Sequence, residues 1–168
     1  MRGSGSGSGR SRLLRAFLLL YSLYSERRMA GGTFGRQIGS TMNIEEIRDY
    51  CLEKVSATEA FPFDEDTMVF RVGDTVEKPG RIFALCSLER PDYILLKCDP
   101  DRAVELRDRY PDEIEPGWHM NKRHWNGVSL GGPHLTDSRI REMIDHSYRL
   151  VAASLPKRQR VGLGLENG

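Results

Sequence analysis

The stretch Thr67-Met68-Val69-Phe70-Arg71-Val72-Gly73 ("TMVFRVG") changes the period of the chain. Upstream, Ile44, Ile47, Cys51 and Val55 recur at helical spacing. Here Met68, Phe70 and Val72 alternate with Thr67, Val69 and Arg71, the two-residue repeat of a half-buried strand, and Gly73-Asp74 closes it. Two further extended segments follow, residues 81–89 ("RIFALCSLE") and 93–98 ("YILLKC"). They are joined through Arg90-Pro91-Asp92, where proline presets one dihedral and aspartate tolerates turn geometry. A long polar loop, "DTVEKPGR", separates the first two strands.

Working outward, Asn43 caps the helix that carries Ile44 and Ile47, with Glu45, Glu46 and Asp49 in early turns where the helix dipole favours acids. Glu53 extends that acidic stripe. Such a stripe can hold a cation loosely, but its first task is to complement the dipole. Asp99-Pro100 reads as a cap followed by proline at the first helical position, opening a helix lined by Ala103, Leu106 and Tyr110 and stopped by Pro111. "IEPGWHM" and "WNGVSL" are two short extended segments flanking "NKRH". Thr136 or Asp137 then starts a last helix that buries Ile140, Met143, Ile144, Ser147 and Val151 and ends at Pro156. The predicted order is α-β-β-β-α-β-β-α, an α+β fold with an antiparallel sheet and helices packed on one face.

The 168 residues, 39% of them apolar, suit one core. The net charge of +1 hides an asymmetry: residues 1–41 carry seven Arg and one Glu (+6), and residues 42–168 carry 18 Lys and Arg against 23 Asp and Glu (−5). Residues 1–41 begin as a Gly/Ser repeat and read as a flexible leader or extension outside the fold. Their apolar run from Ala16 to Tyr24 is about half of what a spanning helix needs. The folding domain is therefore placed at 42–156 and a disordered tail at 157–168. Cys51, Cys86 and Cys98 are odd in number and lack CxxC spacing, so they read as reduced core thiols of a cytoplasmic protein.

No phosphate-cradling glycine loop, nucleophile elbow, HExxH or EF-hand pattern occurs, and no cofactor or catalytic residue is assigned. His119 and His124, with His134 or His146 as a third ligand, lack zinc-like spacing to a thiolate or carboxylate, so no metal is assigned either. The densest chemistry lies in residues 118–126, "WHMNKRHWN", which hold both tryptophans. Trp118 and Trp125 offer stacking faces, Lys122 and Arg123 phosphate-seeking cations, and Asn121 and Asn126 amides able to read base edges. Aromatic residues more often pack than display. The plain expectation is thus two core tryptophans with the cations solvated at the turn between them.

Over "MNIEEIRDYCLEK", "FPFDEDTMVFRVG", the long run from Phe83 to Leu130 and "MIDHSYRLVAASLPK", the chain resembles the MmcQ/YjbR family. The most specific motifs are Lys97-Cys98-Asp99-Pro100, the run from Pro116 to Trp125, and Asp145-His146-Ser147-Tyr148. The resemblance implies a CyaY-like (frataxin-like) α+β fold whose paired strands form a double wing, and a non-enzymatic DNA-binding role. It points to Asn121, Lys122, Arg123 and His124 as contacts, supported by Trp125. The alternative is a protein or small-ligand module with a pocket walled by Trp118 and His119. A third reading is an enzyme using His119 or His124 as base.

Overall fold

The computed structural model describes residues 42–165. The leader and the last three residues lie outside the described part. The elements, in order, are α1 (Ile44–Leu52), β1 (Ala57–Ala60), β2 (Thr67–Val72), β3 (Arg81–Ser87), β4 (Tyr93–Lys97), α2 (Pro100–Arg109), β5 (Ile114–Pro116), β6 (Trp125–Ser129), α3 (Asp137–Ala153) and α4 (Lys157–Gly162). All strand pairs are antiparallel in one six-stranded sheet of order β1-β2-β3-β4-β6-β5. The α+β class and the antiparallel sheet match the expectation from sequence.

Two cross-strand rows build the helix-covered face. One runs Met68, Cys86, Ile94, Val128, Ile114; the other runs Phe70, Ala84, Leu96, Asn126, Pro116. Against them pack Ile44, Ile47 and Cys51 of α1, Ala103 and Leu106 of α2, and Ile140, Met143, Ile144 and Val151 of α3, all buried. The opposite face carries a smaller cluster of Val69, Leu85 and Trp125, with Ala60, Ile82, Leu95 and Met120 against it. Val69 is therefore buried, and β2 is not the half-buried strand its alternation predicted. The three cysteines are free and buried. Desolvation pushes the Cys86 thiol up to about 12 and that of Cys98 to about 11, so neither offers a thiolate near neutral pH.

The caps behave as their residue types dictate. Asn43 Oδ1 accepts from the amides of Glu45 and Glu46, and Glu46 Oε2 accepts from the amide of Asn43, a closed capping box. Glu46 is thereby engaged in capping. Asp99 Oδ1 caps α2 and Thr136 Oγ1 caps α3.

Three expectations need correction. The first helix ends at Leu52, and Val55, expected on its buried face, is 56% exposed in the turn that follows. An additional edge strand, β1, pairs with β2, held by the fork of Arg48 Nε and Nη2 onto the two carboxylate oxygens of Glu59 at 2.6 and 2.7 Å. The segment expected to be a disordered tail contains α4, because Leu155 is buried and Gln159 Nε2 donates to the carbonyl of Gly73.

Register also fixes where the loops fall. β2 and β5 run in the same direction, so the loop after β2 (residues 73–80) and the loop after β5 (residues 117–124) emerge at one end of the sheet. Their hairpins are three strand spacings apart, about 14 Å. Arg81 Nη1 donates to the carbonyl and hydroxyl oxygens of Ser154 at 2.7 and 2.9 Å, which brings the start of α4 to that same end.

Candidate nucleic-acid interface

The β5–β6 loop is shaped by its own backbone. The amide of Gly117 donates to the Trp125 carbonyl at 2.8 Å, closing the base, and there is no room for a side chain at Gly117, whose Cβ would lie 2.9 Å from that of Trp125. His119 takes a left-handed φ of 57°, which reverses the chain. Asn121 Oδ1 accepts from the amide of Arg123 at 3.0 Å, and the Asn121 carbonyl accepts from the amide of His124 at 2.9 Å. Asn121 thus spends its acceptor on a turn of its own loop.

Helix α2 braces this loop from below. Arg107 Nε donates to Asn126 Oδ1 at 2.7 Å, and its Nη2 donates to the carbonyls of Lys122 and Trp125. The amide of Cys98, at the end of β4, donates to the His124 carbonyl at 2.8 Å. These bonds leave the side chains at the tip to solvent. Lys122 and Arg123 are exposed, and among the described residues neither forms an ion pair.

The two tryptophans part company, which corrects the expectation that both are core. Trp125 is 8% exposed and packs with Val69 and Leu85, beneath the loop. Trp118 is 67% exposed, its ring tilted over that of His119 at a centroid distance of 3.9 Å. Trp118 and His119 therefore stand as an open aromatic surface and not as walls of an enclosed cleft. Asn126, read as an amide for base edges, is 2% exposed and engaged by Arg107, so it belongs to the brace. His124 is half-buried behind the tip. Of the residues singled out in sequence, the structure brings Trp118, His119, Asn121, Lys122 and Arg123 onto one exposed loop.

The four histidines do not converge. Among the described residues no group of three or more His, Cys, Asp or Glu side chains is placed to hold a metal. His134 Nδ1 lies 2.7 Å from Glu113 Oε1, and Glu113 also accepts from the amides of His134 and Leu135, tying the start of β5 to the loop before α3. His146 sits elsewhere, between α3 and α2. Among the described residues no helix is long and apolar enough to cross a membrane.

The family model for YjbR matches residues 52–150. The chain belongs to the YjbR family. It is 34% identical to the uncharacterized protein YbdF of Escherichia coli O157:H7 over 117 residues, which is 69% of this chain and 89% of that protein. It is 32% identical to the uncharacterized protein YjbR of Escherichia coli strain K12 over 120 residues, 71% of this chain and 95% of that one. The crystal structure of Deinococcus radiodurans protein DR2400 is similar to it with a TM-score of 0.69 and 34% identity, covering 80% of this chain and 95% of that chain. A Pseudomonas syringae protein is similar with a TM-score of 0.53 and 30% identity, covering 66% and 99%.

The motif Asp145-His146-Ser147-Tyr148, part of the resemblance to the YjbR family, proves to be the fastening of α3. Asp145 accepts from Tyr50 Oη at 3.0 and 3.1 Å and pairs with Lys54 at 2.6 Å, tying α3 to α1 and the turn after it. His146 Nε2 accepts from the amide of Asp99 at 3.3 Å, at the cap of α2. A bulge in β2–β3 leaves Phe83 out of the ladder, and Ser147 Oγ donates to its carbonyl at 2.5 Å while accepting from the amide of Lys97 at 2.8 Å. Tyr148 Oη donates to the Val55 carbonyl at 2.7 Å, and its ring meets Phe83 edge-on. Four consecutive residues bind four different parts of the fold.

Proposed function

We propose that this YjbR-family protein is a binding module for duplex DNA, without catalysis, and that the β5–β6 loop makes the contact. One observation carries the reading: Trp118, Lys122 and Arg123 are exposed together on a loop whose backbone is locked by Arg107, Cys98 and Trp125. A pre-shaped tip with unpaired cations gives up little side-chain or loop order on meeting a phosphate, and an aromatic plate beside it adds contact area. The second loop at the same end of the sheet, about 14 Å away by strand spacing, matches the scale of a major groove about 12 Å wide. This geometry supports two wings meeting one duplex.

The acidic balance of residues 42–168 keeps such binding local and weak, because nonspecific affinity grows with the number of phosphates neutralised. The test is fluorescence anisotropy of a labelled random-sequence duplex with the full chain across a salt series, beside Lys122→Ala, Arg123→Ala and Trp118→Ala. Each cation removed is expected to weaken binding and lower the salt slope by about 1. Trp118→Ala is expected to weaken binding with the slope unchanged. Absence of binding at low salt, or binding indifferent to all three substitutions, overturns the reading.

A further inference from the structure

We propose that α4 is a third element of the DNA-binding end, with Lys157 and Arg158 meeting phosphates beside the β2–β3 loop. The inference rests on the DNA reading above and extends it to a part of the chain that reading does not use. Residues 154–165, "SLPKRQRVGLGL", carry Lys157, Arg158 and Arg160 and no acid, inside a domain that is otherwise net negative. Charge of this sign in one short segment is placed where an anionic partner would find it.

Position, and not composition alone, is the argument. Gly73 closes β2 at φ 84°, and a Cβ there would lie 2.8 Å from the Leu155 side chain, so α4 is seated directly on the start of the first loop. Gln159 Nε2 donates to the Gly73 carbonyl, and Arg81, the first residue of β3, holds Ser154 by two hydrogen bonds. The helix is thereby anchored to the hairpin that emerges beside the β5–β6 loop, through the segment just before it and through Gln159 in its first turn. Lys157 and Arg158 are exposed, and among the described residues neither forms an ion pair. Arg160 is half-buried, with its Nε shielded from solvent, so two exposed cations are available to a ligand. Added to Lys122 and Arg123, they extend the basic end from one hairpin to both.

The experiment compares the full chain with Lys157→Ala/Arg158→Ala, with Lys122→Ala/Arg123→Ala, and with Gln159→Ala, on the same labelled duplex from 50 to 200 mM salt, with circular dichroism of each. Supporting the proposal, the first double variant lowers the salt slope by about 2, at about 0.9 per phosphate, as the loop variant does. Gln159→Ala, which keeps both charges and cuts the tether, is then expected to lose affinity. If the loop variant weakens binding and the α4 variant leaves affinity and slope unchanged, this proposal is overturned and the DNA reading stands. If Gln159→Ala binds like the wild type while the α4 variant does not, the cations act as a loose charged tail and the fixed third element is overturned. If the wild-type chain does not bind, both fall together.

Discussion

His146 shows how one side chain's surroundings set a condition on the whole fold. Burial, followed by the positive charges of Arg102 and Arg149, holds its imidazole below the usual histidine range, and its Nε2 accepts from the Asp99 amide in the neutral form. The unfolded chain therefore takes up this proton at a higher pH than the folded one. Stability contributed by neutral His146 is fully present above the ordinary histidine value and is lost as pH falls from that value toward the lowered one. Denaturant midpoints at pH 7.5 and pH 5.5 should show a drop in the wild type that is smaller in His146→Gln, which loses this titration; an equal drop in both contradicts the assignment. At the same scale, the fate of the two tryptophans was not legible in sequence. "GWHMNKRHW" sets a histidine beside each and both within one polar stretch, and what separates them is the pairing of Trp125 with Lys97 across β4 and β6, a long-range register that local composition does not encode.

At the scale of elements, the loop and helix α2 form one unit through Arg107. A guanidinium can serve Asn126 Oδ1 and two carbonyls at once because its donors are spread over a rigid plane, whereas an ammonium is a single point. Arg107→Lys should therefore speed exchange of the amides of residues 122–126 with solvent by about tenfold, equivalent to losing about 1.4 kcal/mol of local closure, close to the lower end of the range for a hydrogen bond to a charged group. Hydrogen exchange measured by mass spectrometry checks it, and unchanged protection would show that Cys98 and Gly117 suffice to hold the loop. Elements with strong local signals were readable in advance. Asn43, Asp99-Pro100 and Thr136 marked three helix starts, and the alternation of Met68, Phe70 and Val72 marked β2. β1 was not readable, since "ATEA" has no apolar alternation and exists as a strand through its pairing with β2 and the Arg48–Glu59 fork. α4 was hidden for a related reason: Pro156 read as a stop, and the burial of Leu155 against Gly73 that seats the next turn is a tertiary contact.

For the molecule as a whole, the antiparallel register matters more to function than any motif, because it gathers two hairpin loops and the start of α4 at one end of the sheet while the helices cover one face. The motif Asp145–Tyr148, one of the most specific parts of the family resemblance, turns out to serve cohesion. Its four side chains join α3 to α1, β3, β4 and α2, so the motif accounts for the cohesion of the helices with the sheet. The split between the tryptophans has one more consequence, which is optical. With two indoles in the chain, one shielded and one open, the protein carries a built-in pair of emitters: Trp125 should emit to the blue and report unfolding, Trp118 to the red and report occupancy of the loop. Acrylamide should quench the red component of the native chain and spare the blue, and a bound duplex should shield the red one, so that folding and binding are read separately in a single unlabelled sample.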